Sequence, residues 1–423
     1  MKDVIFKINK LGPVSESSVT LKPMTIISGE SGIGKSYVSF LLHYFYVLLE
    51  QPRFDAFFEK INMTDEELFK EEKGVRKILT KDIEEWINED VKDYIREGIG
   101  FSDLDVDVEI KNCFNKSEYV FSWKREYLGL AGKEMLYRAI SVDNHMFRYE
   151  DETQGLGALP FRFLITTIIR QITGIKNREA FLMIPGRGAI LNSQLEAYPN
   201  KMVAEFVRDW NAIKVRPGRK MSGDDIILKK MIDRINGGDI RVLNGLVSLV
   251  LDDVPNPVPI QATASSIKEL APMALLVEKC PVSDLSIMFE EPEAHLHPWK
   301  QVEIADFVAK AFNMGAHFQI TTHSEYFIRR LNDFMTLHQL KKVDQQLYSQ
   351  AKEKYQYPDI TIDSSDVVAY LLKKNDSTGN VTVEAQEITD GVPFESFYNV
   401  IKTSVFNSMN LSDFYKEYVE KNQ

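Results

Sequence analysis

Cysteine is nearly absent: the 423 residues contain two, Cys113 and Cys280. That excludes a disulfide scaffold, and two thiols in apolar or mixed surroundings suit a reducing compartment. No run of about 18 apolar residues occurs, so no membrane-spanning helix and no membrane partner are expected. The opening MKDVIFKINK lacks the unbroken apolar core of a signal peptide, and the expected location is the cytoplasm. Positive charge is not in excess either. The 51 Lys and Arg against 62 Asp and Glu give a net charge of −11. This argues against a globally basic nucleic-acid binder and leaves only a local basic groove for DNA. Internal repeats and low-complexity segments are missing too. What is present is 44% hydrophobic residues, 11% of the total aromatic, enough apolar surface to offset the entropy of ordering. A disordered chain is thereby excluded. At about 150 residues per domain, the length suggests two or three domains.

Along the chain, VIFKINK alternates, with Val4, Phe6 and Ile8 on one face. SSVTL, after Gly12 and Pro13, predicts a second short strand. Residues 24–28 form the compact apolar run of a strand covered on both sides. Residues 36–50 are apolar on most sides and predict a buried helix. Between 52 and 100 the chain is highly charged with apolar residues at helical spacing, which predicts two or three amphipathic helices; TDEE at 64–67 suits a capping box. VDVEIKN and YVFSWKRE, within 103–125, predict a hairpin, with a further strand near 138–142. A helix is expected over 160–175, then a buried strand within 180–191 ending in a Pro-Gly turn that carries Arg187. Helices are expected over 197–214 and 222–250, the latter broken at Gly237-Gly238. From 261 the pattern is helix, strand, helix, strand, and the last 60 residues predict two strands and a terminal pair of helices.

GESGIGKS, residues 29–36, matches G-x-x-x-x-G-K-[ST] without departure. Gly29, Gly32 and Gly34 permit positive φ and close backbone approach. Successive amides of the loop, including those of Glu30, Ser31 and Ile33, can then point at phosphate oxygens. Lys35 would reach the β- and γ-phosphates, and the Ser36 hydroxyl would ligate Mg²⁺. The following helix adds favourable potential at its N-terminus.

Two further segments carry chemistry. LSIMFEEPEAHLHP, residues 285–298, is an apolar strand ending in adjacent carboxylates, Glu290 and Glu291, at the edge where open α/β sheets bind ligands. Such a pair can divide its labour, one holding metal-bound water and the other polarising the attacking water. The bland alternative is a helix start enriched in acids, Glu291 and Glu293. In QITTHSEYF, His323 follows another apolar strand and could bond a γ-phosphate or the lytic water. His295, His297 and His323 lack zinc-site spacing.

Taken in order, strand, GESGIGKS, helix, long insert, SSIKELAP, IMFEEPEAHLHP and ITTHS, the chain resembles the ABC-type ATPase heads of the SMC-like and OLD-like (overcoming lysogenization defect) group. The resemblance is close over roughly residues 1–50 and 180–335. It implies an α/β P-loop head with a mixed central sheet flanked by helices, formed by 1–50 and 180–423. The intervening 51–179 would be a mainly helical insert with a small hairpin. No sustained heptads support a long coiled-coil arm. The resemblance also implies ATP and Mg²⁺, with Lys35 and Ser36 as phosphate and metal contacts. Glu290 takes the metal-linked position, Glu291 that of catalytic base, and His323 that of switch histidine. ATP would be sandwiched between two heads in a homodimer or higher homo-oligomer. Residues 264–269 form the signature segment, Ser265 or Ser266 donating to a γ-phosphate in trans, although Ile267 stands where small residues are usual. Pro185-Gly186-Arg187 is similar to a Pro-x-Arg turn of OLD-like heads; Arg187 faces nucleotide or partner, or is a plain surface arginine. Gln171 is the candidate for the glutamine lid. No Glu plus Asp-x-Asp set follows His323, and Asp105-Val106-Asp107 reads as a solvated strand face. The expectation is therefore an ATPase head without its own Toprim nuclease.

Two functions follow. One is an Mg-ATP-dependent ATPase that gates a separate effector, a nuclease or toxin, in anti-phage defence. The other is a DNA-clamping or structural module with slow turnover, for which KVRPGRK at 214–220 is the local basic cluster. A transporter nucleotide-binding subunit fits poorly, since those heads are shorter between motifs.

Overall fold

A computed structural model gives the fold and describes residues 2–130, 133–153, 155–191, 198–389, 391–393 and 395–421. Among these, nine strands form one mixed sheet. Its order is Val106–Lys111, Ile5–Leu11, Val14–Thr20, Val381–Gln386, Val367–Lys374, Met24–Gly29, His317–Thr321, Leu285–Glu290 and Glu179–Met183. The last five run parallel, as their helical crossovers require. Their sequences are nearly continuous apolar runs because both faces are covered, and Leu285–Glu290 is buried at every position. Register then decides where chemistry sits. Ile27 pairs with Thr321 and Thr321 with Glu290, so these three strands end on one row.

Helix Lys35–Glu50 follows the central strand and is buried along most of its length, which is why its sequence shows so narrow a polar face. It packs beneath the sheet's parallel half and against helix Thr80–Ile99, with Phe40 stacked on Tyr94 at 4.6 Å. Among the described residues, no helix is long and apolar enough to cross a membrane.

Several expectations are corrected. VDVEIKN and YVFSWKRE do not form a hairpin with each other. Val106–Lys111 pairs antiparallel with Ile5–Leu11, extending the main sheet. Glu118–Leu130 lies between Lys73–Leu79 and Lys133–Val142 in a separate four-stranded antiparallel sheet completed by His145–Glu150. Alternation specifies a strand, but not which strand it pairs with. Residues 51–179 thus hold a sheet where a small hairpin is expected, beside helices Arg53–Lys60, Thr80–Ile99 and Leu159–Thr173. Thr64 caps its short helix by accepting from the Glu67 amide at 3.3 Å.

After Gly237-Gly238 the chain forms strands Asp239–Leu243 and Leu246–Val250 rather than more helix. Asn244 and Gly245, at φ 52° and 79°, supply the two positive φ values of a tight hairpin turn. The helix expected from 197 runs Lys201–Val215, residue 197 itself lying outside the described residues. The terminal pair is one helix, Glu395–Lys421.

Candidate functional site

The loop 29–36 leaves the Met24–Gly29 strand and enters helix Lys35–Glu50. Gly29, Gly32 and Gly34 all have positive φ, at 136°, 78° and 102°. A side chain at Gly29 would also meet the Leu372 carbonyl at 2.8 Å, so only glycine lets the loop start here. Among the described residues no side chain caps the helix, and its first turn contains no acid, which leaves amides and dipole available to an anion. A cavity of about 330 Å³ lies over the loop, with Ser31, Lys35, Ser36, Glu291 and His323 on its walls. A second, of about 740 Å³, adjoins Glu30, Ile33, Tyr326 and Lys373, and shares His323 with the first.

Lys35 is buried and turned back on its own loop. Its ammonium donates to the carbonyls of Gly29 at 3.1 Å and Glu30 at 2.6 Å. Desolvation lowers its pKa, and Glu291, Glu290 and Glu293 pull in the opposite direction.

Glu290 ends its strand at 1% exposure. Neither carboxylate oxygen has a hydrogen-bond partner among the described residues. Burial pushes its pKa up to about 7; the Ser36 hydroxyl is near enough to draw it down without reaching hydrogen-bond geometry. An unpartnered buried carboxylate is an expensive arrangement in the absence of a cation. Among the described residues, no group of three or more His, Cys, Asp or Glu is arranged to hold a metal. Ser36 and Glu290 do suit Mg²⁺, which uses one or two protein oxygens together with water and phosphate oxygens. Glu291 sits at φ 44°, its amide donating to the Thr321 carbonyl at 2.9 Å, and lines the smaller cavity. A left-handed backbone at a non-glycine residue costs on the order of 1 kcal/mol and here turns consecutive carboxylates to different surroundings.

Glu293, read from sequence only as a helix-start acid, has a larger part. Its Oε1 accepts the His323 amide at 2.6 Å and the Thr322 hydroxyl at 2.8 Å, joining the acidic segment to the histidine segment. The clue in the sequence is a second acid two residues beyond the Glu290-Glu291 pair. His323 has its pKa lowered, first by burial and then by Lys35, which favours neutral imidazole.

Other candidates lie elsewhere. Ser265 and Ser266 begin helix Ser265–Lys279, whose N-terminus has no side-chain cap among the described residues, and neither lines the two cavities over the loop. Arg187 is neither a surface residue nor on either cavity wall, but fully buried against backbone carbonyls. Gln171 hydrogen-bonds His145 at 2.9 Å on the exposed side of the insert, so it is no lid over the loop. His295 and His297 are exposed, and His297 caps helix Pro298–Asn313. Within KVRPGRK, Arg216 pairs with Glu179 and Arg219 with Asp225, both at 2.8 Å, so its arginines are committed internally.

Residues 191–328 match the family model described as "AAA ATPase domain". No curated protein sequence matches the chain. Among solved structures it is similar to an SMC head domain from Thermotoga maritima, with 10% identity, TM-score 0.34, and coverage of 92% of this chain and 100% of that one. It is similar to a Smc head domain with an extended coiled coil, bound to the C-terminal domain of ScpA derived from Pyrococcus furiosus. There the identity is 10%, the TM-score 0.37, and the coverage 95% and 98%. A third, the SmcHead bound to the C-winged helix domain of ScpA, gives 11%, 0.35, and 92% and 97%. Similarities this loose transfer no residue role. The matched segment contains Glu290, Glu291, Glu293 and His323, so the acidic and histidine walls of the cavity fall inside an ATPase-domain match, whereas the loop 29–36 precedes it.

Proposed function

We propose that the chain is an Mg-ATP-dependent ATPase in which two copies enclose ATP. The observation that carries this reading is Glu290: a buried carboxylate with neither oxygen hydrogen-bonded among the described residues, next to Ser36 of a glycine loop suited to phosphate. Glu290 and Ser36 would hold Mg²⁺. When bound, that ion supplies charge neutralisation of the phosphate oxygens.

The chain's own groups do the rest. Loop amides and the helix N-terminus bind phosphate oxygens. Lys35 exchanges its two carbonyl partners for the β- and γ-phosphates, gaining charge-assisted bonds. Glu291, on the cavity wall, orients the attacking water and takes its proton. Neutral His323 bonds the γ-phosphate or that water, with Glu293 fixing its backbone. The uncapped start of helix Ser265–Lys279 offers Ser265 or Ser266 to the second copy's γ-phosphate, which agrees with neither serine lining its own chain's cavities.

An output through a separate nuclease or toxin in anti-phage defence extends this reading and is supported by the sequence resemblance to OLD-like heads alone. The internal pairing of Arg216 and Arg219 leaves Lys214 and Lys220 as that segment's cations for the DNA-clamp alternative.

Nucleotide binding and phosphate release by the parent and Lys35→Ala, with and without Mg²⁺, test the proposal. Loss of Lys35 is expected to weaken ATP binding at least about tenfold and to stop turnover. Parental turnover in that variant contradicts the assignment.

A further inference from the structure

Arg187 opens the short helix Arg187–Ile190 just past strand Glu179–Met183 and is fully buried. Its Nε donates to the Glu269 carbonyl at 2.7 Å. Its Nη1 donates to the carbonyls of Ile184 and Glu290, each at 2.9 Å. The guanidinium lies 5.0 Å from the centre of the Phe289 ring, and Glu269 Oε2 is 3.4 Å from Nε. Glu269 closes the arrangement from the other side, its Oε1 accepting the Gly188 amide at 3.1 Å. The backbones meet closely here: a side chain at Gly188 would stand 3.0 Å from both Glu269 Oε1 and Lys268 Cβ. Pro272 has no N–H to give the Lys268 carbonyl, so the helical ladder is already open beside the Glu269 carbonyl that Arg187 uses.

Three elements therefore converge on one cation: its own turn, the end of the acidic strand, and the helix that begins at Ser265. An apolar side chain of similar volume would fill this space without the desolvation of a guanidinium, and Nη2 is left without a hydrogen-bond partner among the described residues. What an apolar residue cannot do is bond carbonyls of separate elements through one rigid planar fork.

We infer that Arg187 is a positioning residue that ties the helix presenting Ser265 and Ser266 to the strand end carrying Glu290, so that the two parts of the site hold one relative placement. Its consequence for turnover rests on the ATPase reading above. A nucleotide held at Glu290 would then set the angle at which the serines meet a second copy, and a second copy would set Glu290.

Arg187→Lys keeps the charge and removes the fork, and Arg187→Met keeps much of the bulk and removes every bond to the three carbonyls. Both are expected to lower kcat at least about tenfold with KM for ATP within about threefold of the parent. Both should also lose ATP-driven association in a Glu291→Gln background. Parental kcat in both, or a raised KM with parental kcat, overturns the inference; the second result would mean a direct nucleotide contact. Should Arg187→Lys fail to fold, Arg187→Met carries the same split. A nucleotide-free measurement separates this inference from the ATPase reading. Amide hydrogen exchange is expected to quicken together at 265–271 and 288–291 in the variants, by about tenfold or more. Acceleration in one segment alone, or in neither, overturns the coupling even if the parent proves to have no ATPase activity.

Discussion

Glu293 and His323 are joined at 2.6 Å, carboxylate to backbone amide, so the position of the histidine above the cavity is set by the acidic segment rather than by its own strand alone. Because the same carboxylate oxygen also takes the Thr322 hydroxyl, a single group orders the whole turn. Glu293→Gln replaces a charge-assisted acceptor with a weaker neutral one. Steady-state kinetics should show kcat reduced about tenfold and ATP affinity changed less than threefold. A kcat equal to that of the parent would place His323 under other control.

Glu290 is held at a cost to the nucleotide-free protein. Its carboxylate is buried and without a hydrogen-bond partner among the described residues, and burial pushes its pKa up to about 7, so charging it above that pH costs stability. Glu290→Gln removes that charge, so calorimetry without Mg²⁺ or nucleotide should find the variant more stable by about 1–3 kcal/mol. The same variant should have lost turnover. A lower melting temperature would mean that Glu290 is satisfied by groups other than a cation.

Most of this site was legible because its parts are local. Residues 29–36 form the expected glycine loop between the expected strand and helix, and Glu290, Glu291 and His323 all emerge from one edge of the sheet. The row pairing Ile27, Thr321 and Glu290 is what brings distant segments together. The burial of Arg187 is not legible, since its partners at Ile184, Glu269 and Glu290 are backbone carbonyls, which leave no mark in a side-chain pattern. The pairing within the insert is hidden for a related reason. Val106, Val108 and Ile110 announce a strand, but its partner lies about a hundred residues away at the N-terminus. The hairpin at 239–250 carries a local signal, Asn244-Gly245 between alternating apolar residues, set against the helical pattern just upstream.

Stability should fall in acid through a residue remote from the cavity. His43 is buried on helix Lys35–Glu50 and its pKa is lowered to about 3, chiefly by desolvation and further by Arg208. The unfolded chain takes up a proton near pH 6.5 and the folded one does not, so the native state is favoured above that value. The advantage is lost as pH falls towards 3, at about 1.4 kcal/mol per pH unit. Denaturant titrations between pH 7 and 4.5 should show a shallower loss in His43→Leu than in the parent. Equal slopes would mean that His43 is protonated in the folded chain.

The central claim is that ATP is enclosed between two copies and released by hydrolysis at Glu291. The most direct measurement is the solution mass of Glu291→Gln with and without Mg-ATP, alongside phosphate release by the parent. An ATP-dependent rise to a dimer or larger assembly, with turnover present in the parent and lost in the variant, is the expected result. A mass indifferent to ATP, or a variant that hydrolyses at the parental rate, would contradict it.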